Sequence, residues 1–404
     1  MGIAATPLAR PIHIGHRLAK NRFLIQPMEC CDATLSGSFS EDTLRRYDAL
    51  FRGGAGVVVM ESVTLQYKSR STRHQLLLDP KDPLNRAAWE DFVRDKKLHY
   101  PNTLLLVQLT HSGELSNDRF SERVCVKPHP NYGGTLIDED YIDQIIHDYA
   151  EACRFLAYIG VDGVDLKFCH GYLGSQLVRP YNDRRWKYGG SFENRARFAY
   201  DLIERVRFIV PHESFLIGAK VSIFDEMPGG QGHAGPNSAA LDLAESVQFC
   251  KGLEFRGANF IIETLGGVGC GWNLMSPSKK NPEAVHQHIA AARLLRKNLK
   301  PETTVICSGL SLLRNGENNG LPDEDLFQMG NDCIKQGDFD MIGLGRQSFA
   351  DPLLPRKYLE DNINNINWCT CCNCCSTLFG HEQHTGCVLY NPPYTKAYCA
   401  LKSR

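Results

Sequence analysis

Six cysteines fall between Cys369 and Cys387, and their spacing could assemble a metal centre. Cys369, Cys372 and Cys375 form a C-x2-C-x2-C pattern, and Cys387 follows after eleven further residues. Closely spaced cysteines on a tight loop can supply three of the four thiolates that an iron–sulfur cluster needs, and a later turn of chain supplies the fourth. The pattern predicts a [4Fe–4S] cluster on these four cysteines.

Zinc is the competing metal for the same segment. A C-x2-C pair with distant cysteine or histidine ligands is also typical of zinc sites, and His381 and His384 lie nearby. Cys371 and Cys374 share the loop and could replace one of the four ligands. Spacing alone leaves these alternatives open and places the cluster ahead of zinc.

A second set of polar residues follows apolar runs that predict β-strands. Its members are Thr110, His111, Lys167, Lys220, Ser222, Glu263, Thr264, Ser308 and Gly309. A single polar residue at a strand end is more often a cap than a functional group. In a parallel barrel, however, catalytic groups lie at the carboxyl ends of the strands. The whole set therefore predicts an active site at one face of such a barrel.

The elements that must position these residues alternate along the chain. The apolar runs predict strands at residues 23–27, 56–61, 104–109, 163–167, 216–222, 259–263, 304–308 and 341–344. Helical periodicity marks residues 148–157, 193–209, 238–253, 284–296 and 324–335. Eight βα units indicate the α/β class and a (β/α)8 TIM barrel, with a short Cys-rich extension behind it. The stretch 311–325 predicts a loop.

Composition narrows the class of partner. The 404 residues carry a formal net charge of −1, which gives no basic excess for nucleic acid or an anionic membrane. No apolar run approaches the ~20 residues of a membrane span, and the amino terminus lacks the apolar core of a signal peptide. Sixteen cysteines in such a chain indicate metal binding rather than a secreted disulfide scaffold. We therefore expect a cytoplasmic protein.

Several separate motifs resemble the old yellow enzyme family of FMN-dependent oxidoreductases across residues 8–395. They are NRFLIQPM from Asn21, VQLTHSG from Val107, VDLKFCHGYL from Val164, YNDRRWKYGGSFENRARF from Tyr181 and FDMIGLGRQSFADP from Phe339. The cysteine segment is similar to the branch with 2,4-dienoyl-CoA reductase and trimethylamine dehydrogenase, where a [4Fe–4S] cluster follows the barrel. The resemblance implies an FMN-binding barrel at residues 1–360 and a cluster-binding extension at 361–404.

The resemblance also implies roles for individual residues. The FMN contacts would come from Pro27, Met28, Glu29, Glu61, Gln108, Lys220, Ser308, Gly309, Gly345 and Arg346. Glycine N–H groups and the arginine fork at the last two strands suit a phosphate dianion. Tyr172 would give a proton to one carbon of an activated double bond while the other carbon receives a hydride. His170 and Lys167 would bind the activating group of the substrate.

Three positions depart from the pattern of that family. Lys167 stands where histidine is common, and it could bind a carboxylate or a thioester. Lys220 replaces the usual arginine and keeps its charge but not its bidentate geometry. Glu29 replaces a small, thiol or hydroxyl residue. A carboxylate there would disfavour an anionic reduced flavin unless it is protonated or paired.

The implied function is an FMN- and [4Fe–4S]-dependent ene reductase that acts on a small molecule. An amine dehydrogenase-like flavoprotein, with Tyr67, Trp272 and Phe379 around the amine, and a non-catalytic electron-transfer subunit are the alternatives. Members of this branch continue with FAD- and NAD(P)H-binding domains, whereas no G-x-G-x-x-G follows the cysteines here. The expected electron donor is therefore external: NAD(P)H, a ferredoxin or a flavoprotein. The sequence leaves a homo-oligomer open.

Overall fold

Within the described residues, 2–128, 133–314 and 324–403, eight parallel strands form a closed barrel in the computed structural model. The strands are β1 (Phe23–Ile25), β2 (Val57–Thr64), β3 (Leu104–Thr110), β4 (Gly163–Phe168), β5 (Leu216–Ser222), β6 (Phe260–Thr264), β7 (Thr304–Cys307) and β8 (Met341–Leu344). Each strand pairs with its neighbours in the chain, and β8 pairs with β1 to close the ring. The predicted (β/α)8 barrel is confirmed.

The interior of the barrel is apolar at its amino-terminal end. Alternate strand residues form one interior cluster there, which includes Leu24, Val57, Val59, Leu104, Leu106, Leu216, Phe260, Ile262, Ile306 and Met341. A hairpin of the strands Ile12–Ile14 and Arg17–Ala19 closes this end, because Ile14 and Ala19 join the same cluster. Inward-facing polar residues further along the strands are therefore brought together at the opposite mouth.

Helices cover the outside of the barrel. They are α1 (Glu41–Arg52), α2 (Pro83–His99), α3 (Glu139–Tyr158), α4 (Phe192–Ile209), α5 (Ala244–Phe255), α6 (Ala284–Asn298) and α7 (Leu326–Gln336). α3 begins earlier than predicted because the Asp138 carboxylate accepts from the N–H of Tyr141 at 2.8 Å and caps the helix. α5 begins later than predicted. The sequence pattern did not identify α1, which Ser40 caps, or α2, which begins at Pro83.

Shorter elements lie in the connecting loops. They are the helices Leu173–Val178 and Trp272–Met275, the 3₁₀ turns Ile3–Ala5, Pro7–Ala9, Tyr67–Ser69, Gly113–Leu115, Leu310–Leu312 and Ile363–Asn365, and the paired strands Val124–Cys125 and Thr135–Leu136. The predicted loop at 311–325 starts inside one of these turns, and its residues 315–323 lie outside the described part of the chain. In the described part, no helix is both long and apolar enough to cross a bilayer.

The chain after β8 folds back over the loops at the mouth of the barrel. Its described helices are Arg346–Ala350, α8 (Leu354–Leu359), α9 (Cys374–Gly380) and α10 (Pro392–Lys402). Thr385 donates its N–H to the carbonyl of Cys30 at 2.7 Å, and His384 Nδ1 lies 2.7 Å from Asp42. Trp368 packs into the main hydrophobic core. The cysteine segment thus rests on the loop between β1 and α1. A domain boundary at residue 360 stays a prediction.

A buried charge network fixes that same loop. Arg46 on α1 donates to both oxygens of Asp32, at 2.7 and 2.9 Å, and to Glu61 on β2, at 2.8 Å. Tyr47 donates its O–H to Glu61 at 2.5 Å. Burial raises the pKa of Glu61 to about 7, although the charge of Arg46 opposes the rise. The network holds the residues that follow β1 in place.

Replacing Arg46 by Met should destabilise the fold by about 3–5 kcal/mol, because it leaves two buried carboxylates without a counter-charge. The matched control is Arg45→Met, since the side chain of Arg45 is 65% exposed in its pair with Asp42. The free energy of unfolding of that control should stay within about 0.5 kcal/mol of the wild-type value. Urea unfolding at pH 7 measures both variants, and equal losses would contradict the prediction.

Candidate active site

A cavity opens at the carboxyl end of the barrel, beside the C-terminal helices. The predicted site residues that line it are Pro27, Met28, Glu29, Lys167, His170, Tyr172, Lys220, Ser308, Gly309, Gly345, Arg346 and Cys375. They come from five strand ends and from α9, so the barrel brings together residues that are far apart in the sequence. Sequence reasoning missed Gln26 and Ser311, which also line the cavity, as does Thr264 from the predicted set of strand-end residues. Gln26 had a usable signal, since it shares the inward face of β1 with Leu24.

Glu61 and Gln108 do not line this cavity. The register of β2 against β3 shifts between Met60 and Val63. This irregularity turns Glu61 towards Arg46 and Tyr47 on α1, so its carboxylate is occupied outside the barrel. The predicted flavin contact of Glu61 is therefore disfavoured, and an alternating pattern could not reveal the irregularity. Gln108 donates its amide N–H to Asp165, its partner on β4, at 2.6 Å.

One end of the cavity suits an anion. Ser308 and Gly309 follow β7, and Gly345 and Arg346 follow β8. Arg346 Nη1 donates to Asn373 Oδ1 at 2.7 Å, which holds the guanidinium in place. A β-carbon at Gly345 would meet only a Met28 sulfur at 3.4 Å, so a side chain there would fill cavity space. Glycine backbone and guanidinium donors fit the phosphate of FMN.

Three side chains form a hydrogen-bonded chain across the inside of the barrel. Lys220 Nζ donates to Gln26 Oε1 at 2.7 Å, and Gln26 Nε2 donates to Ser308 Oγ at 2.8 Å. Burial lowers the pKa of Lys220, while the nearby carboxylate charges of Asp165 and Glu263 oppose that shift. These two hydrogen bonds link β5, β1 and β7, and they hold the Lys220 ammonium at the cavity wall.

Asp165 is a buried carboxyl group inside the barrel. Its Oδ2 accepts from Gln108, while its Oδ1 has no hydrogen-bond partner among the described residues. Burial raises the pKa of Asp165 to about 7, although the Gln108 hydrogen bond and the charges of Lys220 and Lys167 lower it.

Tyr172 and Lys167 face each other in the cavity. Lys167 Nζ lies 3.3 Å from the centroid of the Tyr172 ring and donates to Ser62 Oγ at 2.8 Å. Burial lowers the pKa of Lys167 to about 8 and raises the pKa of Tyr172 well above its usual value. The phenol therefore keeps its proton at neutral pH. Lys167 is still mostly charged there and can stabilise a phenolate.

His170 completes this side of the cavity in a neutral form. Its backbone φ of 62° lies in the left-handed region, and its backbone N–H donates to Ser222 Oγ at 3.2 Å. The ring Nε2 lies 3.0 Å from Thr264 Oγ1. Burial, with the charges of Lys220 and Lys167, lowers the pKa of His170 well below its usual value. A neutral, oriented imidazole can hydrogen-bond a polar group of a ligand.

Glu29 lies directly beside Tyr172. Its carboxylate accepts from the Tyr172 hydroxyl at 3.2 Å, from Ser71 Oγ at 2.8 Å and from Thr72 Oγ1 at 3.0 Å. The charge of Glu29 is one of the causes that raise the pKa of Tyr172. The carboxylate is thus paired with hydroxyl donors.

Two of the three aromatic residues considered for an amine site line the cavity. Trp272 and Phe379 do so. The ring of Tyr67 instead packs on Arg70, with 3.8 Å between the guanidinium carbon and the ring centroid. Tyr67 lines a different surface groove. The three rings therefore do not form one cage.

The four predicted cluster ligands lie near one another. The charges of Cys369 and Cys372 act on both Cys375 and Cys387, and burial raises the pKa of Cys375 to about 11. Cys371 donates to the carbonyl of Ser311 at 3.4 Å. Among the described residues, no group of three or more His, Cys, Asp or Glu side chains is arranged to hold a metal ion. The ligand set and the cluster stay predictions.

Comparisons with known proteins agree with this architecture. A model of the NADH:flavin oxidoreductase / NADH oxidase family matches residues 7–253. The NADH oxidase of Thermoanaerobacter brockii is 28% identical over 362 residues, which are 87% of this chain and 50% of that protein. The cinnamate reductase of Clostridium sporogenes is 24% identical over 373 residues, which are 88% of this chain and 53% of that protein.

A solved structure shows the same fold. The complex of 2-naphthoyl-CoA reductase with 2-naphthoyl-CoA superimposes with a TM-score of 0.81 at 18% identity, over 98% of this chain and 58% of that chain. The chain spans about half the length of the curated relatives it matches.

The buried Asp165 carboxyl should make stability depend on pH. A raised pKa means that its contribution to the unfolding free energy is complete below about pH 4 and is lost as the pH rises through about 7. Relative to Asp165→Asn, the wild type without FMN should lose up to about 1.4 kcal/mol of unfolding free energy per pH unit between about pH 4 and about pH 7. Urea unfolding between pH 4.5 and 8 measures this difference, and parallel curves would contradict the assignment.

Proposed function

The chain belongs to the NADH:flavin oxidoreductase / NADH oxidase family, and from that membership we propose that it is an FMN- and [4Fe–4S]-dependent oxidoreductase that reduces an activated carbon–carbon double bond. The observation that carries the proposal is one shared cavity. Its walls hold a protonated phenol, Tyr172, and a cation, Lys167, together with the anion-binding end at Gly345 and Arg346. A bound FMN would supply hydride chemistry at this place.

The chain would hold FMN with the groups already fixed at the cavity. Ser308, Gly309, Gly345 and Arg346 would surround the phosphate at two adjacent strand ends, with the glycine backbone and the Arg346 guanidinium as donors. Lys220 would place its charge beside the ring system, since its Nζ is anchored by Gln26 at 2.7 Å. NAD(P)H is the proposed external donor.

In the proposed reaction, Tyr172, Lys167 and His170 have separate roles. Tyr172 gives its proton to the carbon next to the activating group. Lys167, 3.3 Å from the ring, stabilises the phenolate that remains. The neutral His170 hydrogen-bonds the activating carbonyl and orients the substrate. Cinnamate reductase, a relative of this chain, acts on a double bond next to a carboxylate, which matches a cation in the cavity.

The observations favour reduction over amine oxidation. An amine substrate is a cation, and the cavity already holds the cations Lys167, Lys220 and Arg346. The aromatic cage that could attract such a cation is incomplete, because Tyr67 lies elsewhere. A neutral or anionic substrate with a polarised double bond suits the charges better.

The proposed cluster would lie against the flavin cavity. Cys375 lines that cavity, whereas Cys372 is exposed. The cluster could therefore accept electrons from an external ferredoxin or flavoprotein. A reducing compartment such as the cytoplasm is part of the proposal, because none of the described cysteines forms a disulfide.

Tyr172→Phe tests the proposed proton donor. The variant should reoxidise about 10²–10⁴-fold more slowly with cinnamate or 2-cyclohexen-1-one after anaerobic reduction, because no acid protonates the substrate. Its reduction by NADH or NADPH should be unaffected. Stopped-flow absorbance of the flavin follows both half-reactions. Tyr67→Phe is the control and should behave as the wild type. An unchanged reoxidation rate in Tyr172→Phe would show that Tyr172 is not the proton donor.

Cys375→Ser tests the proposed cluster. Anaerobically purified wild type should contain iron, sulfide and FMN, with the iron and sulfide in equal amounts. The variant should lose iron and sulfide, because serine replaces one of the four thiolates. Cys399→Ser, an exposed cysteine on α10, is the matched control and should keep the cluster. A protein that contains zinc and no iron would refute the cluster.

A further inference from the structure

We propose that Glu29 returns a proton to Tyr172 after each turnover, so that Glu29 and Ser71 form a proton inlet from the mouth of the barrel. The inference rests on the proposed function, in which Tyr172 gives its proton to the substrate. It assigns a catalytic task to one of the three residues that depart from the pattern of the family.

The geometry isolates Tyr172 from bulk water and links it to Glu29. Tyr172 is only 6% exposed, so a phenolate left after proton transfer has little direct contact with solvent. Its hydroxyl donates to Glu29 at 3.2 Å and is also in hydrogen-bonding contact with Ser71. Glu29 and Ser71 are both half-buried. Glu29 and Ser71 therefore lie between the buried Tyr172 phenol and the surface.

Two hydroxyl groups hold the Glu29 carboxylate in position. Ser71 and Thr72 both donate to Oε1, at 2.8 and 3.0 Å, while Tyr172 is bound to Oε2. One oxygen is thus anchored and the other faces the phenol. This division suits a carboxyl group that carries a proton between two partners without changing its own position.

The proton balance of the cycle is complete. The substrate double bond gains a hydride, whose two electrons come from NAD(P)H, on one carbon. The Tyr172 O–H bond breaks, and a C–H bond forms on the other carbon. The negative phenolate next to the Glu29 carboxylate makes a second negative charge unfavourable, which draws a proton from water onto Glu29. Glu29 then passes that proton to the Tyr172 oxygen.

Other charged and titratable groups act on this pair. Lys167 and Cys169 face it from β4, and Cys31 faces it from the loop after β1. Lys167 stabilises the phenolate and so slows its reprotonation, which makes a carboxyl partner useful. The thiols hold their protons, because burial raises the pKa of Cys31 and of Cys169, the latter to about 12.

The test compares one turnover with many in the FMN-loaded Glu29→Gln variant. Cinnamate and 2-cyclohexen-1-one are the probes. Tyr172 begins the first turnover protonated, so the single-turnover reoxidation rate should fall less than about threefold. Steady-state turnover needs repeated reprotonation and should fall by about tenfold or more, with a changed pH profile. Glu29→Asp keeps a carboxyl group and should recover part of the steady-state rate.

A direct titration gives a readout besides turnover. The Tyr172 resonance of protein labelled with [¹³Cζ]tyrosine can be assigned by its loss in Tyr172→Phe. In Glu29→Gln its titration midpoint should fall by about one pH unit or more, because a neighbouring negative charge is removed. Should Glu29→Gln fail to fold, Glu29→Ala removes the same charge and provides the same two measurements.

The outcomes separate this inference from the proposed function. Equal losses in single-turnover and steady-state rates, or an unchanged Tyr172 midpoint, would overturn the role of Glu29. If the wild type reduces neither probe, that result counts against the proposed function, and the titration alone then decides whether Glu29 and Tyr172 are coupled.

Discussion

Closure of the barrel, with β8 paired to β1, is the constraint on which the rest of the structure depends. Eight parallel strands in a ring place all their carboxyl ends at one mouth, and the pleat sends alternate side chains inward. Residues separated by hundreds of positions in sequence, such as Gln26 and Ser308, then meet at hydrogen-bonding distance. An open sheet would spread the same residues along an edge.

Concentrating polar groups at that mouth creates an electrostatic problem. Lys167, Lys220 and Asp165 are all withdrawn from water, and each is shifted towards its neutral form. The structure limits the cost with short hydrogen bonds from Lys220 to Gln26 and from Gln108 to Asp165.

The C-terminal segment is best understood as part of this mouth. It anchors to the loop after β1 through Thr385 and to the end of β8 through Arg346 and Asn373. The same segment contributes Cys375 and Phe379 to the cavity wall. A group held by the cysteines would therefore lie against the cavity that the barrel forms, and not at a remote surface.

The sequence by itself determined the barrel and its eight strands, because strand periodicity is a local property, and its resemblance to a known family indicated most of the residues around the cavity. Tertiary structure decided what each side chain contacts. The register shift in β2 turned Glu61 away to Arg46, although Glu61 ends the strand that the sequence predicts at 56–61. Tyr67 is likewise drawn to Arg70 and away from the cavity. Glu29 differed from the family pattern in sequence, but its partner Tyr172 was visible only after folding, because hydrogen bonds across 143 positions depend on the closed ring.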